Sequence, residues 1–253
     1  PASFELGALQ AQAVALRTYT LQKMLSGRSE AHPDADICSD STCCAAWRSV
    51  EQLKENWGAD FDTYYEKICN AVESTDGVCV TYEGQPAQAV FHSSSAGMTE
   101  ESGAIWSASL PYLVPVESPE DEKQVPNYVS EVSVSFSDFQ ETVKALYPEA
   151  DFDGAPQEWI GDIILTSSGR VDYVTIGGVQ VSGTSLRSMF GLRSTAVQID
   201  VTDSAVVFTV TGYGHGVGMS QYGANAMAED GSSWQEILLW YYPGTELSNA
   251  SSF

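Results

Sequence analysis

Gly212-Tyr213-Gly214-His215-Gly216-Val217-Gly218-Met219-Ser220-Gln221-Tyr222-Gly223-Ala224 places glycines at four alternating positions and then turns polar. Without a Cβ, glycine lets the backbone approach a neighbour closely or take a positive φ, so this spacing describes a corner built for contact. The apolar run at 205–210 reads as a strand leading into it, and Ser220 is placed to cap a helix over 221–228. His215, Gly216, Ser220, Gln221 and Tyr222 would then share one strand–loop–helix corner. Gly214-x-Gly216 begins like a dinucleotide loop. However, the third glycine comes too early and no βαβ unit with a ribose-binding acid follows, which excludes that fingerprint.

Upstream of this corner, strand patterns occupy 128–136, 162–167, 171–176, 179–182 and 198–202, with a short helix at 137–146. Acidic, proline-containing stretches at 117–126 and 147–156 read as exposed connections. Earlier still, strands at 78–82 and 88–92 form a hairpin around Glu83-Gly84-Gln85-Pro86. A helix over 47–73 is interrupted near Trp57-Gly58, and 29–46 is a polar loop. The chain opens with a helix over 1–24, where Ser3 can cap, Glu5 suits the first-turn dipole and Leu6, Leu9, Ala13 and Leu16 recur at helical spacing. Helices at both ends around a mostly antiparallel, strand-rich middle define an α+β class. The expected organisation is a single domain over 1–253 with sub-lobes 1–115 and 116–253.

At 253 residues and 43% hydrophobic content, the chain can bury a substantial core. Its 34 acidic and 11 basic residues give a net charge of -23, which repels phosphate backbones and anionic headgroups. Nucleic acid and membrane surfaces are therefore poor partners, and a neutral polymer is an easier one. No apolar run is long enough to span a bilayer. Arg17 shares a largely apolar helix face with Gln10, Val14 and Leu21; such an arginine either snorkels to solvent or reaches a carboxylate or sugar oxygen.

Cysteines stand at 38, 43, 44, 69 and 79. His32, Cys38 and Cys44 are evenly spaced in one loop and offer an imidazole and two thiolates, a donor set suited to Zn²⁺; a structural disulfide accounts equally well for the cysteines. Cys69 and Cys79 flank a turn, and either a disulfide or two buried thiols fits that placement.

Several segments together resemble the stage II sporulation protein D (SpoIID) family, also called the LytB family. Ala8-Leu9-Gln10-Ala11-Gln12-Ala13-Val14-Ala15-Leu16-Arg17-Thr18-Tyr19 is similar to its A-L-K-A-Q-A-V-A-A-R-T-Y helix. Phe91-His92-Ser93-Ser94-Ser95-Ala96-Gly97-Met98-Thr99-Glu100 is similar to F-H-S-S-S-G-G-x-T-E. Ser168-Gly169-Arg170, Ser182-Gly183, Leu186-Arg187, the glycine corner and Tyr241-Tyr242-Pro243-Gly244-Thr245 continue the likeness in order. The resemblance implies a long substrate cleft and lytic transglycosylation of peptidoglycan glycan strands stripped of stem peptides, leaving 1,6-anhydro-muramyl ends. It also implies an extracytoplasmic protein, secreted or held by an anchor preceding Pro1, with no membrane contact by this chain itself. A cell-wall amidase is the implied protein partner, and some relatives are wall-binding stimulators of such an amidase.

The same resemblance assigns supporting catalytic roles to Arg17 and Tyr222. Gln10, His92, Ser93, Ser94, Ser95, His215, Gly216, Ser220 and Gln221 are candidate groove positions by their place beside these motifs, although serines that end a strand commonly satisfy turn backbone and His215 between glycines is as well placed to bond backbone as substrate. It favours zinc on His32, Cys38 and Cys44, with Cys43 a further candidate ligand. The family's general-acid glutamate belongs to an E-M-P segment of which Pro1 matches the proline, so that acid is expected before residue 1 and residues 1–253 alone are expected to be inactive. A second glutamate of the pattern is replaced by Gly7.

Overall fold

The computed structural model describes residues 1–28, 33–40, 44–106 and 108–253. They form the expected α+β arrangement, with helices near both ends of the chain and several small antiparallel sheets between them. Two compact units are present: Pro1–Phe91 with Ala224–Phe253, and His92–Gly223. The first unit thus joins the last thirty residues to the opening helix, on which helix Trp234–Tyr241 packs, and its boundary falls at Phe91 where the expected sub-lobes divide at 115.

In the first unit the opening helix runs Leu6–Ser26 and buries Ala8, Leu9, Ala11, Val14, Ala15, Thr18 and Tyr19. The buried stripe is richer in small residues than Leu6-Leu9-Ala13-Leu16, because the helix is packed by helix Phe61–Glu73, helix Trp234–Tyr241 and strand Val78–Tyr82, so its neighbours come close. A Cβ on Gly7 would lie 3.3 Å from the Ser232 carbonyl oxygen and 3.5 Å from Ala228 Cβ. Nor does Ser3 cap this helix. Glu5 is the N-cap, with no side-chain cap, and its own N–H donates to Asn225 Oδ1 at 2.7 Å.

The helical stretch expected over 47–73 divides into Val50–Trp57, started by a Ser49/Gln52 capping box, and Phe61–Glu73, joined by a 3-10 turn at Gly58–Asp60. Glu83 and Gly84 take φ of 49° and 74°, a two-residue turn that returns the chain at Gln85 rather than at 88. The resulting antiparallel sheet has the order Glu246–Asn249, Val78–Tyr82, Gln85–Pro86. Helix Trp234–Tyr241, with a Ser233/Glu236 capping box, buries Ile237, Leu238 and Tyr241, and Tyr242 Oη donates to the Val90 carbonyl at 2.8 Å.

The second unit contains two three-stranded antiparallel sheets. One has the order Val129–Ser135, Ala205–Thr211, Val197–Val201; the other is a meander of Ile160–Leu165, Val171–Ile176 and Val179–Ser182. Helices Phe136–Leu146 and Gly183–Phe190 join them around one core that includes Phe139, Val143, Val174, Ile176, Val181, Leu186, Val206 and Phe208. Stacked and edge-on contacts among Phe139, Phe152, Trp159, Phe190 and Phe208 fill its centre.

The two stretches expected to be exposed connections contribute to the interior. Ala150 and Phe152 belong to this core, and Ser118, Glu120 and Val125 are also buried. Acidic and proline residues mark loops correctly, but one apolar or hydrogen-bonded residue per turn is enough to anchor such a loop inward. Among the described residues no helix is long and apolar enough to cross a membrane.

Candidate functional site

The alternating glycines of 212–216 exist because other chain segments occupy the space a side chain would need. At Gly212, φ is 75° and an added Cβ would lie 2.8 Å from the carbonyl oxygens of both Ser94 and Ser95. At Gly216, φ is 85° and the nearest atom is Arg170 Cζ at 2.7 Å. A Cβ added to Gly214 would likewise lie 2.7 Å from His92 Cβ. The corner is thereby laid directly against the His92–Ser95 segment, as the glycine spacing implies.

Main-chain hydrogen bonds fix this contact. Ser94 N–H donates to the Tyr213 carbonyl at 3.1 Å and Tyr213 N–H to the Ser94 carbonyl at 2.9 Å; Glu100 N–H reaches the Gly216 carbonyl at 2.8 Å. Tyr222 N–H donates to the Ser93 carbonyl at 3.0 Å, and Ser220 Oγ accepts from Gly223 N–H at 3.2 Å, capping helix Gln221–Glu229 as its sequence predicts. His92, Ser93, Ser94, Ser95, His215, Gly216, Ser220, Gln221 and Tyr222 are therefore all in the second unit. His92, Ser94, Ser95, Gly216 and Ser220 are buried, whereas Ser93, His215, Gln221 and Tyr222 are half-buried.

Behind the corner lies a charged cluster whose burial the sequence does not reveal. Glu120, 3% exposed, accepts from Ser95 N–H at 2.6 Å, from Ser118 Oγ at 2.6 Å and from Ser220 Oγ. Glu100, fully buried, accepts from Thr166 Oγ1 and Ser168 Oγ, each at 2.6 Å, and from Glu101 N–H at 2.8 Å. Arg170, 1% exposed, donates from Nη2 to Ser95 Oγ at 3.4 Å and to the Met98 carbonyl at 3.5 Å; its Nε and Nη1 have no hydrogen-bond partner among the described residues. Burial pushes its guanidinium below the usual arginine range, while the charges of Glu100 and Glu120 act the other way. Both Glu100 and Arg170 close motifs quoted above, F-H-S-S-S-A-G-M-T-E and S-G-R. Their position at motif ends was the available signal.

The two histidines adopt definable tautomers. His92 Nδ1 lies 3.2 Å from the Val217 carbonyl, which can only accept, so a proton sits on Nδ1 and Nε2 is left as an acceptor. Burial, followed by the proximity of His215 and Arg170, holds His92 well below the usual histidine range, so its ring is neutral near pH 7. His215 Nδ1 accepts from Val217 N–H at 3.1 Å, which places the proton of its neutral ring on Nε2. Both histidines thus grip one residue of the glycine corner.

Gln10 and Arg17 belong to the first unit. Gln10 Nε2 donates to Ser74 Oγ at 2.8 Å. Arg17 Nη1 donates to the carbonyls of Thr75 at 2.7 Å and Val78 at 2.9 Å, and Nη2 to that of Val72 at 3.3 Å. The guanidinium therefore gathers carbonyls at and just beyond the C-terminus of helix Phe61–Glu73, where a cation is favoured by the exposed ends of the peptide dipoles. Of the candidate metal ligands, His32 and Cys43 lie outside the described residues. Cys38 and Cys44 carry thiols rather than a mutual disulfide, and Cys44 N–H donates to the Asp40 carbonyl at 2.7 Å. Cys69 and Cys79 are likewise thiols, with Cys79 Sγ 3.6 Å from the Ser248 carbonyl.

A family model described as stage II sporulation protein matches residues 1–82. Over its full length the chain is 37% identical to the stage II sporulation protein D of Bacillus amyloliquefaciens and 36% identical to that of Bacillus subtilis, covering 72% of each. It is 29% identical to the amidase enhancer of Bacillus subtilis over 98% of this chain, which spans 39% of that protein.

Proposed function

Because the chain belongs to the stage II sporulation protein D family, we propose that it works on the bacterial cell wall, outside the cytoplasmic membrane, by lytic transglycosylation of denuded peptidoglycan strands. The observation that carries this reading is full-length similarity to two sporulation proteins, which extends across the glycine corner and the charged cluster behind it. Glycan cleavage of this kind needs one protonated carboxyl group to donate to the glycosidic oxygen and then to accept a proton from the sugar's own 6-hydroxyl as that oxygen attacks the anomeric carbon. Within the chain, the corner contributes a rigid wall, and half-buried Tyr222 is suited to donate to, or stack on, a sugar.

A second reading is favoured by the amidase enhancer: a wall-binding module that stimulates a partner amidase without cutting glycan. Incubating the native protein with denuded strands and searching for 1,6-anhydro-ended fragments by mass spectrometry separates the two. The expected result is such fragments. Binding without release would leave only the stimulatory reading, to be checked by adding a cell-wall amidase.

We also propose that the loop containing Cys38 and Cys44 holds zinc, with His32 as the nitrogen donor. The loop brings two cysteine sulfurs and an imidazole within a dozen residues of sequence, a donor set suited to the metal, and a bound ion would cross-link the loop and stabilise the fold. Protein purified without chelator is expected to contain about one zinc per chain, and Cys38→Ser is expected to reduce that content and lower Tm. Metal-free protein with Cys38 bonded to Cys44 would overturn the assignment.

A further inference from the structure

We propose that Trp106, backed by His215, forms a shelf for the apolar face of an uncharged N-acetylated hexopyranose ring. The inference rests on the glycan reading above and names the group that would contact the sugar. Of the tryptophans in the second unit, Trp159 is committed to the core, where its Nε1–H donates to the Phe152 carbonyl at 3.1 Å. Trp106 is different. It follows the short helix Ser102–Ile105, remains 38% exposed, and sets its ring 5.1 Å from that of His215 at an interplanar angle of 54°. His215 in turn lies 5.7 Å from buried His92. Three rings therefore lead from the interior of the glycine corner to solvent.

An indole in tilted contact with a neighbouring ring and still 38% exposed presents apolar surface that has already lost part of its side-chain freedom before binding. The axial C–H groups of a pyranose carry slight positive charge and pack on the negative face of an aromatic ring by the same quadrupole attraction that aligns aromatic pairs. A net charge of -23 disfavours anionic ligands and leaves a neutral sugar unopposed. A further, independent observation is that His92 Nε2, an acceptor by its tautomer, is buried and has no hydrogen-bond partner among the described residues. Buried polar atoms are satisfied in most proteins, so this lone pair has room for a donor such as a buried water, through which a ligand hydroxyl or amide at the His215 side could be linked to it.

The test uses the chain Pro1–Phe253 with two probes, the β-1,4-linked tetramer of N-acetylglucosamine, followed by calorimetry, and denuded glycan strands, followed by co-sedimentation. Wild type is expected to bind both, with Trp106→Ala weakening tetramer binding by about tenfold and Trp106→Phe retaining most of it. Tyr173→Ala, a change at an equally exposed aromatic of the meander sheet, is expected to have no effect. Thermal melts confirm that each variant is folded. Equal binding by wild type and Trp106→Ala would overturn the shelf while leaving the glycan reading intact. So would binding of strands without binding of the tetramer. Failure of wild type to bind either probe would overturn both.

Discussion

Arg170→Leu is expected to destabilise the His92–Gly223 unit by at most about 3–5 kcal/mol, the range for breaking a contacting buried ion pair and so an upper bound for a cation that acts on Glu100 and Glu120 without touching either. The side chain is 1% exposed, and its guanidinium is the cation whose charge is coupled to both Glu100 and Glu120. Leucine fills part of the volume but leaves two buried carboxylates with neutral hydrogen-bond donors alone. Those donors, three for each carboxylate, stabilise the charges locally without cancelling them. Urea unfolding followed by far-UV circular dichroism reads the loss. The charge argument makes a second demand: Arg170→Leu combined with Glu100→Gln should be more stable than Arg170→Leu alone, because the uncompensated charge is removed with its partner. A single substitution costing less than about 1 kcal/mol, with no recovery in the pair, would mean that the cluster is held by packing and not by charge.

This cluster also marks the limit of what the amino-acid sequence discloses. Local chemistry was legible: Val171–Ile176 and Val179–Ser182 are the strands that alternation predicts, and Ser220 caps the helix that it precedes. Local rules fail for Glu120, which sits in an acidic stretch that reads as solvated, because its burial depends on donors from Ser95, Ser118 and Ser220, the first and last of them 25 and 100 residues away. The division into units is hidden for a similar reason. Residues 224–253 look like a simple continuation of the chain, yet Tyr242 bonds to Val90, 152 positions earlier. Arg17 shows a third kind of difficulty. An arginine on an apolar helix face needs acceptors, and sequence cannot distinguish a sugar oxygen from the carbonyls of Val72, Thr75 and Val78 that it finds.

Gly212→Ala is expected to cost about 2–5 kcal/mol, combining about 1–2 kcal/mol for a left-handed non-glycine residue with about 1–3 kcal/mol for overpacking. The two contributions can be separated experimentally. Gly169 has almost the same φ, 78° against 75°, but an added Cβ there meets nothing within 4 Å. Gly169→Ala should therefore incur the conformational cost alone, while Gly212→Ala also drives a methyl group into the carbonyl oxygens of Ser94 and Ser95 at 2.8 Å. Those oxygens belong to backbone rather than to a flexible side-chain end, so relief requires moving the His92–Ser95 segment and lengthening the paired Ser94–Tyr213 hydrogen bonds. The rings of His92 and His215 would shift with that segment, which ties the stability of the corner to the geometry of the surface it presents. Equal losses from the two substitutions, measured by urea unfolding, would show that positive φ alone selects the glycine and that close approach of the two segments does not.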